Sequence, residues 1–356
     1  MKKLYGILVL IVFVVSANAQ DSKTINVSTA GTLTTLLTAD EKANITDLIV
    51  TGNIDTRDVK CMRDEITKLA VLDLSSVNIM AYSGKDGTSY YRQTNLANVM
   101  PASSFCKEKT GKVSLKTIIL PNSITAIDFN AFDNCSGLTG NLTIPKSVTS
   151  IGKQAFRNCS GLTGNLTIPN GVTLIDDEAF HGCSGFNGNL TIPNSVTKIG
   201  MAAFQNCKEL TGNLIIPNKL TTIEAYTFYW CRKLTGNIII PGAVTEIREE
   251  AFFGCKSLTG NLSIPNAVTV IEAGAFTGCS GLSGSLTIGS AVTEIGEGAF
   301  SSCSGFTGDL IIPKSVTSIG STAFSNCTGL TGKLIIGNAD AVIAEDAFSD
   351  CPGLKR

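Results

Sequence analysis

The sequence has little charge of either sign, few aromatic residues and a single histidine. Among its 356 residues, 28 are Lys or Arg and 29 are Asp or Glu, which gives a net charge of −1, and aromatic residues make up 6%. A chain without a basic excess or a long basic run lacks the electrostatic features of a nucleic-acid-binding protein. With only His181 and no pair of cysteines at C-x₂-C spacing, it also lacks the ligand clusters of metal sites. We therefore expect no metal, no cofactor and no nucleic acid partner.

Long apolar runs are equally scarce. One run, from Leu4 to Val15, follows two lysines and precedes Ala17-Asn18-Ala19, an order typical of a secretory signal peptide. We predict that residues 1–19 are removed by cleavage after Ala19. The run is shorter than the ~20 apolar residues of a membrane-spanning helix, and residue 20 is Gln instead of the Cys of a lipid-anchored protein. The pattern predicts export to the cell surface, the medium or the periplasm, with no membrane insertion after cleavage.

The cysteines form the strongest pattern in the sequence. Of the twelve, ten recur every 24 residues, and they are Cys135, Cys159, Cys183, Cys207, Cys231, Cys255, Cys279, Cys303, Cys327 and Cys351. A repeat this short cannot enclose a core alone and becomes stable only by stacking on its neighbours. The period predicts a repeat solenoid of mostly short parallel β-strands, in which residues 24 apart lie directly over one another.

The same register bears on disulfide formation. An exported chain rich in cysteine usually forms disulfides, but ten of these cysteines occupy one equivalent position, so their side chains should point the same way. Neighbouring turns of a parallel stack lie about 4.8 Å apart, whereas bridged Cβ atoms lie about 3.8 Å apart with converging bonds. We predict a ladder of free thiols that pack as small buried hydrophobic groups. The redox state of Cys61 and Cys106, outside the ladder, stays open.

Within each unit the recurring apolar residues predict the core. Leu142-Thr143-Ile144 alternates apolar and polar residues and predicts a short strand with Thr143 in solvent, and Val148 to Ile151 predicts a second extended segment. Ala155 to Cys159 resembles a single helical or 3₁₀ turn. One phenylalanine per unit, from Phe132 to Phe348, predicts a column of rings in the interior. The expected buried positions of a unit are Leu142, Ile144, Val148, Ile151, Ala155, Phe156, Cys159 and Leu162.

Residues 20–117 do not keep the period and are predicted to form an N-terminal capping region with irregular coils, ahead of ten repeats in residues 118–356. Phe105 lies 27 residues before Phe132, which indicates a junction coil with a three-residue insertion. Terminal units of a solenoid are commonly atypical because one face meets water. The cap is predicted to contain helices at 38–43 and 58–68 and strands at 48–50 and 69–74.

The string I-P-N-S-V-T-x-I-G-x-x-A-F-x-x-C-S-G-L, present almost unchanged from Ile192 to Leu210, resembles the BspA-like class of leucine-rich repeats. The resemblance covers residues from about 105 to 356. It implies a right-handed, leucine-rich-repeat-like solenoid and an exported bacterial surface protein of the Bacteroidetes type, some of which are adhesins for host matrix proteins or other cells. Two departures limit it: the unit has 24 residues instead of the commoner 23, and no sorting domain or membrane anchor follows the array.

Outward-facing residues depart from the repeat pattern in one region. The array's only tryptophan, Trp230, and its only tyrosines, Tyr226 and Tyr229, lie within five residues, and Phe253 follows Tyr229 by one period. Register places Tyr229 and Phe253 in one column with His181 and Gln205. The residue after the ladder cysteine is serine in five of the ten units and is basic in three consecutive ones, Lys208, Arg232 and Lys256.

Aromatic rings give contact area at low entropic cost, and cations attract anionic ligands. We therefore predict that these nine residues bind a host extracellular-matrix protein, a glycan or another cell-surface protein. Alternatively, they only shield the turns or reflect neutral drift.

Two other functions fit an exported solenoid. One is a structural or self-assembling envelope component without a small-molecule ligand, which would associate chiefly with itself. The other is a secreted hydrolase that uses His181 with Asp177 or Ser184. Their spacing reflects one turn of the repeat, and a nucleophile and base pair needs an oriented third group and a pocket. We therefore expect no enzymatic activity.

Overall fold

The computed structural model describes residues 21–89 and 93–355. The predicted signal peptide therefore lies outside the described residues. The chain winds into a β-solenoid of about 13 turns, built mostly from short parallel strands, so the predicted repeat solenoid is confirmed. In the ranges described, no helix combines the length and the apolar content needed to cross a membrane.

The register of the strands follows the 24-residue period. Ile127 pairs with Ile151, Ile151 with Ile175, and Ile175 with Ile199, always in parallel. A second parallel sheet of the same kind joins six strands further along the array. Outside the ladder, threonines such as Thr149 and Thr173 continue the stacking, because both the N–H and the hydroxyl of Thr173 donate to the Thr149 carbonyl oxygen. Residues one period apart therefore lie over one another, as the sequence predicted.

The elements of the cap and junction are β1 (Ser22–Val27), α1 (Leu33–Leu36), α2 (Ala39–Asn44), β2 (Asp47–Ile54), α3 (Thr56–Asp64), β3 (Val71–Ile79), β4 (Tyr82–Ser83), β5 (Thr94–Asn95), β6 (Val99–Met100), β7 (Cys106–Lys107), β8 (Thr110–Gly111) and β9 (Thr117–Ile119). The array contains β10 (Ala126–Ile127), β11 (Ser150–Ile151), β12 (Leu166–Thr167), β13 (Leu174–Ile175), β14 (Leu190–Thr191), β15 (Lys198–Ile199), β16 (Thr222–Ile223), β17 (Gly236–Asn237), β18 (Glu246–Ile247), β19 (Leu258–Thr259), β20 (Leu262–Ser263), β21 (Val270–Ile271), β22 (Leu286–Thr287), β23 (Glu294–Ile295), β24 (Leu310–Ile312), β25 (Ser318–Ile319), β26 (Leu334–Ile336) and β27 (Val342–Ile343).

The strand predicted from Leu142-Thr143-Ile144 is only partly correct. Its counterparts form β12, β14, β20, β22, β24 and β26, but residues 142–144, 214–216 and 238–240 are not strands. The burial pattern is nevertheless the predicted one, because Leu142 and Ile144 are buried and Thr143 is exposed. The alternation of apolar and polar residues therefore predicts which side chains point inward. It does not predict strand pairing, which is interrupted between these segments.

The predicted single helical or 3₁₀ turn from Ala155 to Cys159 is present only in part, as hydrogen bonds of 3₁₀ type made by alternate residues. Ala155, Arg157 and Cys159 donate to carbonyl oxygens three residues earlier, whereas Phe156 and Asn158, which alternate with them, donate to the next coil. Gln154, directly before the segment, and Asn158, within it, have φ values of 57° and 56°. The segment is thus a pair of tight turns, each containing a left-handed residue, and the bonds between coils replace those of a helix.

The core is one continuous cluster that runs from Val27 to Phe348. The phenylalanine column from Phe105 to Phe348 stacks with ring centroids 5.1 to 5.7 Å apart and interplanar angles of at most 15°. Because this core crosses residue 117 without a break, the boundary between cap and array stays a prediction. All eight predicted core positions of the unit that begins at Leu142 are buried.

The ladder cysteines are free thiols, as predicted, and so are Cys61 and Cys106. The sequence did not reveal that each ladder thiol also makes a hydrogen bond. Cys159 Sγ donates to the Phe132 carbonyl oxygen at 3.1 Å, and the same contact recurs 27 residues apart along the ladder, for example from Cys255 to Phe228. The carbonyl oxygen also accepts from the N–H three residues later. The thiol is therefore both a core group and a link between coils.

The cap begins the solenoid with the sheet β1-β2-β3-β9, whose strands are parallel. The predicted helices and strands are present with shifted ends, and β1 and α1 were not predicted. Asp58, buried at the start of α3, accepts hydrogen bonds from the backbone N–H groups of Gly31, Leu33 and Asp55. This carboxylate joins α1 to α3. Phe105 stacks on Phe132, and Met100 pairs with Ile127, so the insertion of three residues in the junction coil is confirmed.

Candidate binding site

The structure brings the predicted column together. Gly182, Asn206 and Trp230 each donate a backbone N–H to the carbonyl oxygen of Gln205, Tyr229 and Phe253, respectively, at 2.7 to 2.9 Å. His181, Gln205, Tyr229 and Phe253 therefore occupy equivalent places in four consecutive coils. All four side chains are half-buried.

Four aromatic rings form one cluster at the centre of this column, hereafter the aromatic cluster, which consists of Tyr226, Tyr229, Trp230 and Phe253. Tyr229 stacks on Phe253 with centroids 5.0 Å apart, and Tyr226 meets Tyr229 edge to face at 6.0 Å. Trp230 lies 6.2 Å from Tyr229 and 6.3 Å from Phe253. The rings support one another, so they form a preorganised platform instead of four independent side chains.

Two rings of the cluster stand at backbone positions that are unfavourable for bulky residues. Tyr226 and Trp230 have φ values of 58° and 60°. In other coils the position of Trp230 holds Asn, Gly, Ser or Asp, which are small and mostly adopt the left-handed region more readily. The position of Tyr226 holds Asn130 or Gly274 in some coils and residues without this preference, such as Glu178, in others. Aromatic residues at both positions of one coil cost backbone energy, and such strain is typical of functional sites.

The three basic residues do not form a uniform stripe. Lys208 and Lys256 are exposed as predicted, but Arg232 is half-buried, and its Cζ lies 3.6 Å from the centroid of the Trp230 ring. Its Nε is buried without a hydrogen-bond partner. None of the three forms an ion pair with a described residue. Arg232 is therefore part of the aromatic platform through a cation–π contact, and the two lysines flank it as unneutralised charges.

Carboxylates approach the cluster at Tyr226. Burial of the Tyr226 hydroxyl, its hydrogen bond to Glu249 and the nearby charges of Glu249 and Glu250 raise its pKa to about 12. The phenol consequently stays protonated and acts as a donor. Charges of opposite sign thus surround the aromatic cluster, so a charged partner would bind it in a preferred orientation.

The histidine lies at the edge of this column in a structural setting. Burial lowers the pKa of His181, which is hydrogen bonded to Gln205, and its Nδ1 is buried without a partner. Asp177 pairs with Lys153 at 3.4 Å and accepts from the Met201 N–H at 3.0 Å. Within the described part of the chain, no hydrogen bond joins His181 to Asp177 or Ser184.

Sequence reasoning missed the contact between Arg232 and Trp230, and it missed the strain at Tyr226 and Trp230. The strain could have been found by aligning the units, because the counterparts of Tyr226 and Trp230 are mostly asparagine, glycine and other small or polar residues. The contact between Arg232 and Trp230 depends on the direction of a long side chain, which the period does not determine.

Twelve chains of solved structures are similar to this chain, among them the following three. A leucine rich cell surface protein from Faecalibacterium prausnitzii A2-165 is 29% identical over 73% of this chain and 82% of its own, with a TM-score of 0.42. A leucine-rich repeat protein from Bacteroides ovatus ATCC 8483 is 23% identical over 80% and 81%, with a TM-score of 0.42. The pneumococcal vaccine antigen PcpA is 15% identical over 95% and 72%, with a TM-score of 0.39.

A search of the curated proteins gave no match. Because the TM-scores to the solved structures lie below 0.5, family membership rests on the family model instead. The model of the BspA type leucine rich repeat region matches residues 103–235 and 221–355, with 6 copies. These matches cover well over half of the 356 residues, so the chain belongs to the BspA type leucine-rich repeat family.

Proposed function

We propose that this protein is exported to the cell surface and binds a protein of the host matrix or of another cell through the aromatic cluster and its flanking residues Lys208, Arg232 and Lys256. The observation that carries the proposal is the placement of Tyr226 and Trp230 at strained left-handed positions within one coil. Consensus residues would build the same turn at lower cost, which favours a role for the rings beyond the fold.

The chemistry of the site favours a protein partner with an acidic contact surface. Tyrosine, tryptophan and arginine are the residues that contribute most often to binding energy at protein interfaces. Here they occur together, the rings are held by mutual stacking, and Lys208 and Lys256 carry charges without a partner among the described residues. Acidic side chains of a partner would be attracted to the lysine edge and repelled from the edge at Glu249 and Glu250.

A glycan is the second candidate, because the stacked pair of Tyr229 and Phe253 offers an aromatic surface on which a sugar ring can pack. The two candidates separate experimentally. Pull-downs of the full exported chain against immobilised matrix proteins, mucin and bacterial envelope fractions, each before and after removal of its glycans, identify which component is bound.

The decisive variant replaces the strained aromatic residues by those of the coil four units earlier, Tyr226→Asn and Trp230→Asn. These changes install the residues that Asn130 and Asn134 supply at equivalent positions, so we expect the circular dichroism spectrum to be unchanged and binding to fall at least tenfold. A second variant, Tyr229→Ala with Trp230→Ala, should behave alike.

Ser301→Ala, in the same column two coils after Phe253, is the matched control and should bind normally. Undiminished binding by both aromatic variants would refute the proposed site. Light scattering of the wild-type chain tests the structural alternative, in which copies bind one another and the pull-downs recover only the protein itself.

A further inference from the structure

A second candidate site lies where the cap meets the first coils of the array. A cleft of about 820 Å³ is enclosed by α3, the loop that precedes residue 90, the hairpin of β7 and β8, and the turns at Phe129 and Gln154. This volume is within the range of ~300–1,000 Å³ that is usual for small-molecule sites. We call it the cap cleft. None of the residues of the aromatic cluster lines it.

The cap cleft is strongly cationic. Six of its lining residues are lysine or arginine, namely Lys60, Arg63, Lys85, Lys107, Lys109 and Arg157, against two acids, Asp64 and Glu108. This contrasts with the whole chain, in which the two signs balance. The cleft therefore concentrates positive charge in a way that the overall composition conceals.

The two arginines are already satisfied and build the walls. Arg63 donates to the carbonyl oxygens of Thr88 and Ser103 and pairs with Asp64 through both of its carboxylate oxygens. Arg157 makes a two-point contact with Asp133, at 2.8 Å for each hydrogen bond. These bonds fix the walls on both sides, and they neutralise Asp64.

The lysines, in contrast, lack close partners. Lys60, Lys85 and Lys109 form no ion pair with a described residue, and the Nζ of Lys107 lies 3.9 Å from the already paired Asp64. Four lysines therefore line one cleft with little compensation of their charge. They repel one another, and an anion that enters would remove this repulsion.

The hairpin that carries Lys109 is strained. β7 and β8 are antiparallel and joined by a loop of two residues, Glu108 and Lys109, with φ values of 49° and 68°. Such turns are normally formed by Asn-Gly or Asp-Gly, because both residues need positive φ. The strained turn is held in place by a hydrogen bond from Asn134 Nδ2 to the Lys109 carbonyl oxygen. The energetic cost of this turn indicates that the charged residues Glu108 and Lys109 are needed at the rim of the cap cleft.

The remaining walls suit a hydroxylated ring. Phe129 is half-buried and offers an aromatic edge, and the hydroxyl of Ser103 and the amide of Gln154 line the same space. Ser103 and Gln154 therefore offer polar groups to the hydroxyls of a ring, which a simple inorganic anion would leave unused.

We propose that the cap cleft binds an acidic saccharide, with its carboxylate or sulfate groups among Lys60, Lys85, Lys107 and Lys109 and its ring against Phe129. This site is separate from the aromatic cluster and would act independently of it.

Titration calorimetry of the full exported chain tests the proposal with four probes: oligogalacturonate, a sulfated malto-oligosaccharide, the neutral malto-oligosaccharide and inorganic sulfate. We expect at least one acidic oligosaccharide to bind at least tenfold more tightly than the neutral one, and more weakly at high salt. The first two probes show whether the recognised anion is a carboxylate or a sulfate.

The test variant is Lys85→Gln, Lys107→Gln, Lys109→Gln, for which we expect at least a tenfold loss of affinity. The control is Lys198→Gln, Lys219→Gln, Lys314→Gln, which removes the same charge from exposed array positions and should bind normally. Absence of oligosaccharide binding, equal affinity for the neutral probe or for inorganic sulfate, or equal losses in test and control variants would each overturn the proposal.

Discussion

At the scale of single residues, each ladder cysteine combines a dry environment with one hydrogen bond. Burial raises the pKa of the Cys135, Cys255 and Cys303 thiols from 9.0 to about 12. A folded-state pKa above the unfolded one means that the folded chain keeps a proton which the unfolded chain has lost. Stability is therefore fully present below pH 9.0 and declines as the pH rises from there towards 12.

We predict that urea unfolding shows a marked loss of stability as the pH rises from 9 towards 12, at about 1.4 kcal/mol per pH unit for each buried thiol once above its unfolded pKa. The double variant Cys255→Ala, Cys303→Ala should lose stability less steeply with rising pH, because it lacks two of the thiols that release a proton on unfolding. Alanine is tolerated because the Phe228 and Phe276 carbonyl oxygens still accept from backbone N–H groups. Identical pH slopes for the variant and the wild type would contradict this account.

The residue scale is also where the sequence was most informative. The period alone assigns Phe156 and Cys159 to the interior, because a strict repeat must place counterparts in identical surroundings. It does not show that Cys159 bonds to Phe132, since this depends on which carbonyl oxygen the backbone leaves available. Nor does it show that Arg232 lies on Trp230, because a long side chain can choose among several directions.

At the scale of elements, the hairpin of β7 and β8 shows the clearest local backbone strain. Left-handed backbone costs roughly 1–2 kcal/mol for a residue with a side chain. We predict that Glu108→Asn with Lys109→Gly raises the free energy of unfolding by about 1–2 kcal/mol, since these residues suit the turn. Chemical denaturation at neutral pH measures this change. An unchanged or lower stability would show that the charged pair makes compensating contacts.

The tight turns show why elements were harder to predict than burial. The segment from Ala155 to Cys159 has the composition of a short helix, but its alternate N–H groups donate to the following coil. This exchange is a tertiary effect, and local propensity does not report it. The cap cleft was also beyond the sequence, because it assembles residues from Lys60 to Arg157 that share no period.

At the scale of the whole molecule, the burial of core side chains is uneven along the length of the solenoid. In the coil of β26 and β27, Val342 is 74% exposed and Ile336 and Ile343 are only half-buried, whereas their counterparts one period earlier, Ile312 and Ile319, are buried. Fewer contacts mean a lower free energy of local opening.

We therefore predict that amide hydrogens of residues 334–355 exchange much faster than those of residues 286–312, as measured by hydrogen-exchange mass spectrometry. The central segment serves as an internal reference in the same sample. Uniform protection along the array would indicate that the solenoid opens only as one cooperative unit.

The exact register of the coils also bears on how such a protein can vary between strains. Ile271 lies between Ile247 and Ile295, and all three are the same residue in the same setting. Unequal recombination between the corresponding gene segments would add or remove whole units and would rejoin matching surfaces. Each event would lengthen or shorten the protein by about 4.8 Å, so the length of the solenoid can evolve in fixed steps without redesign of its interior.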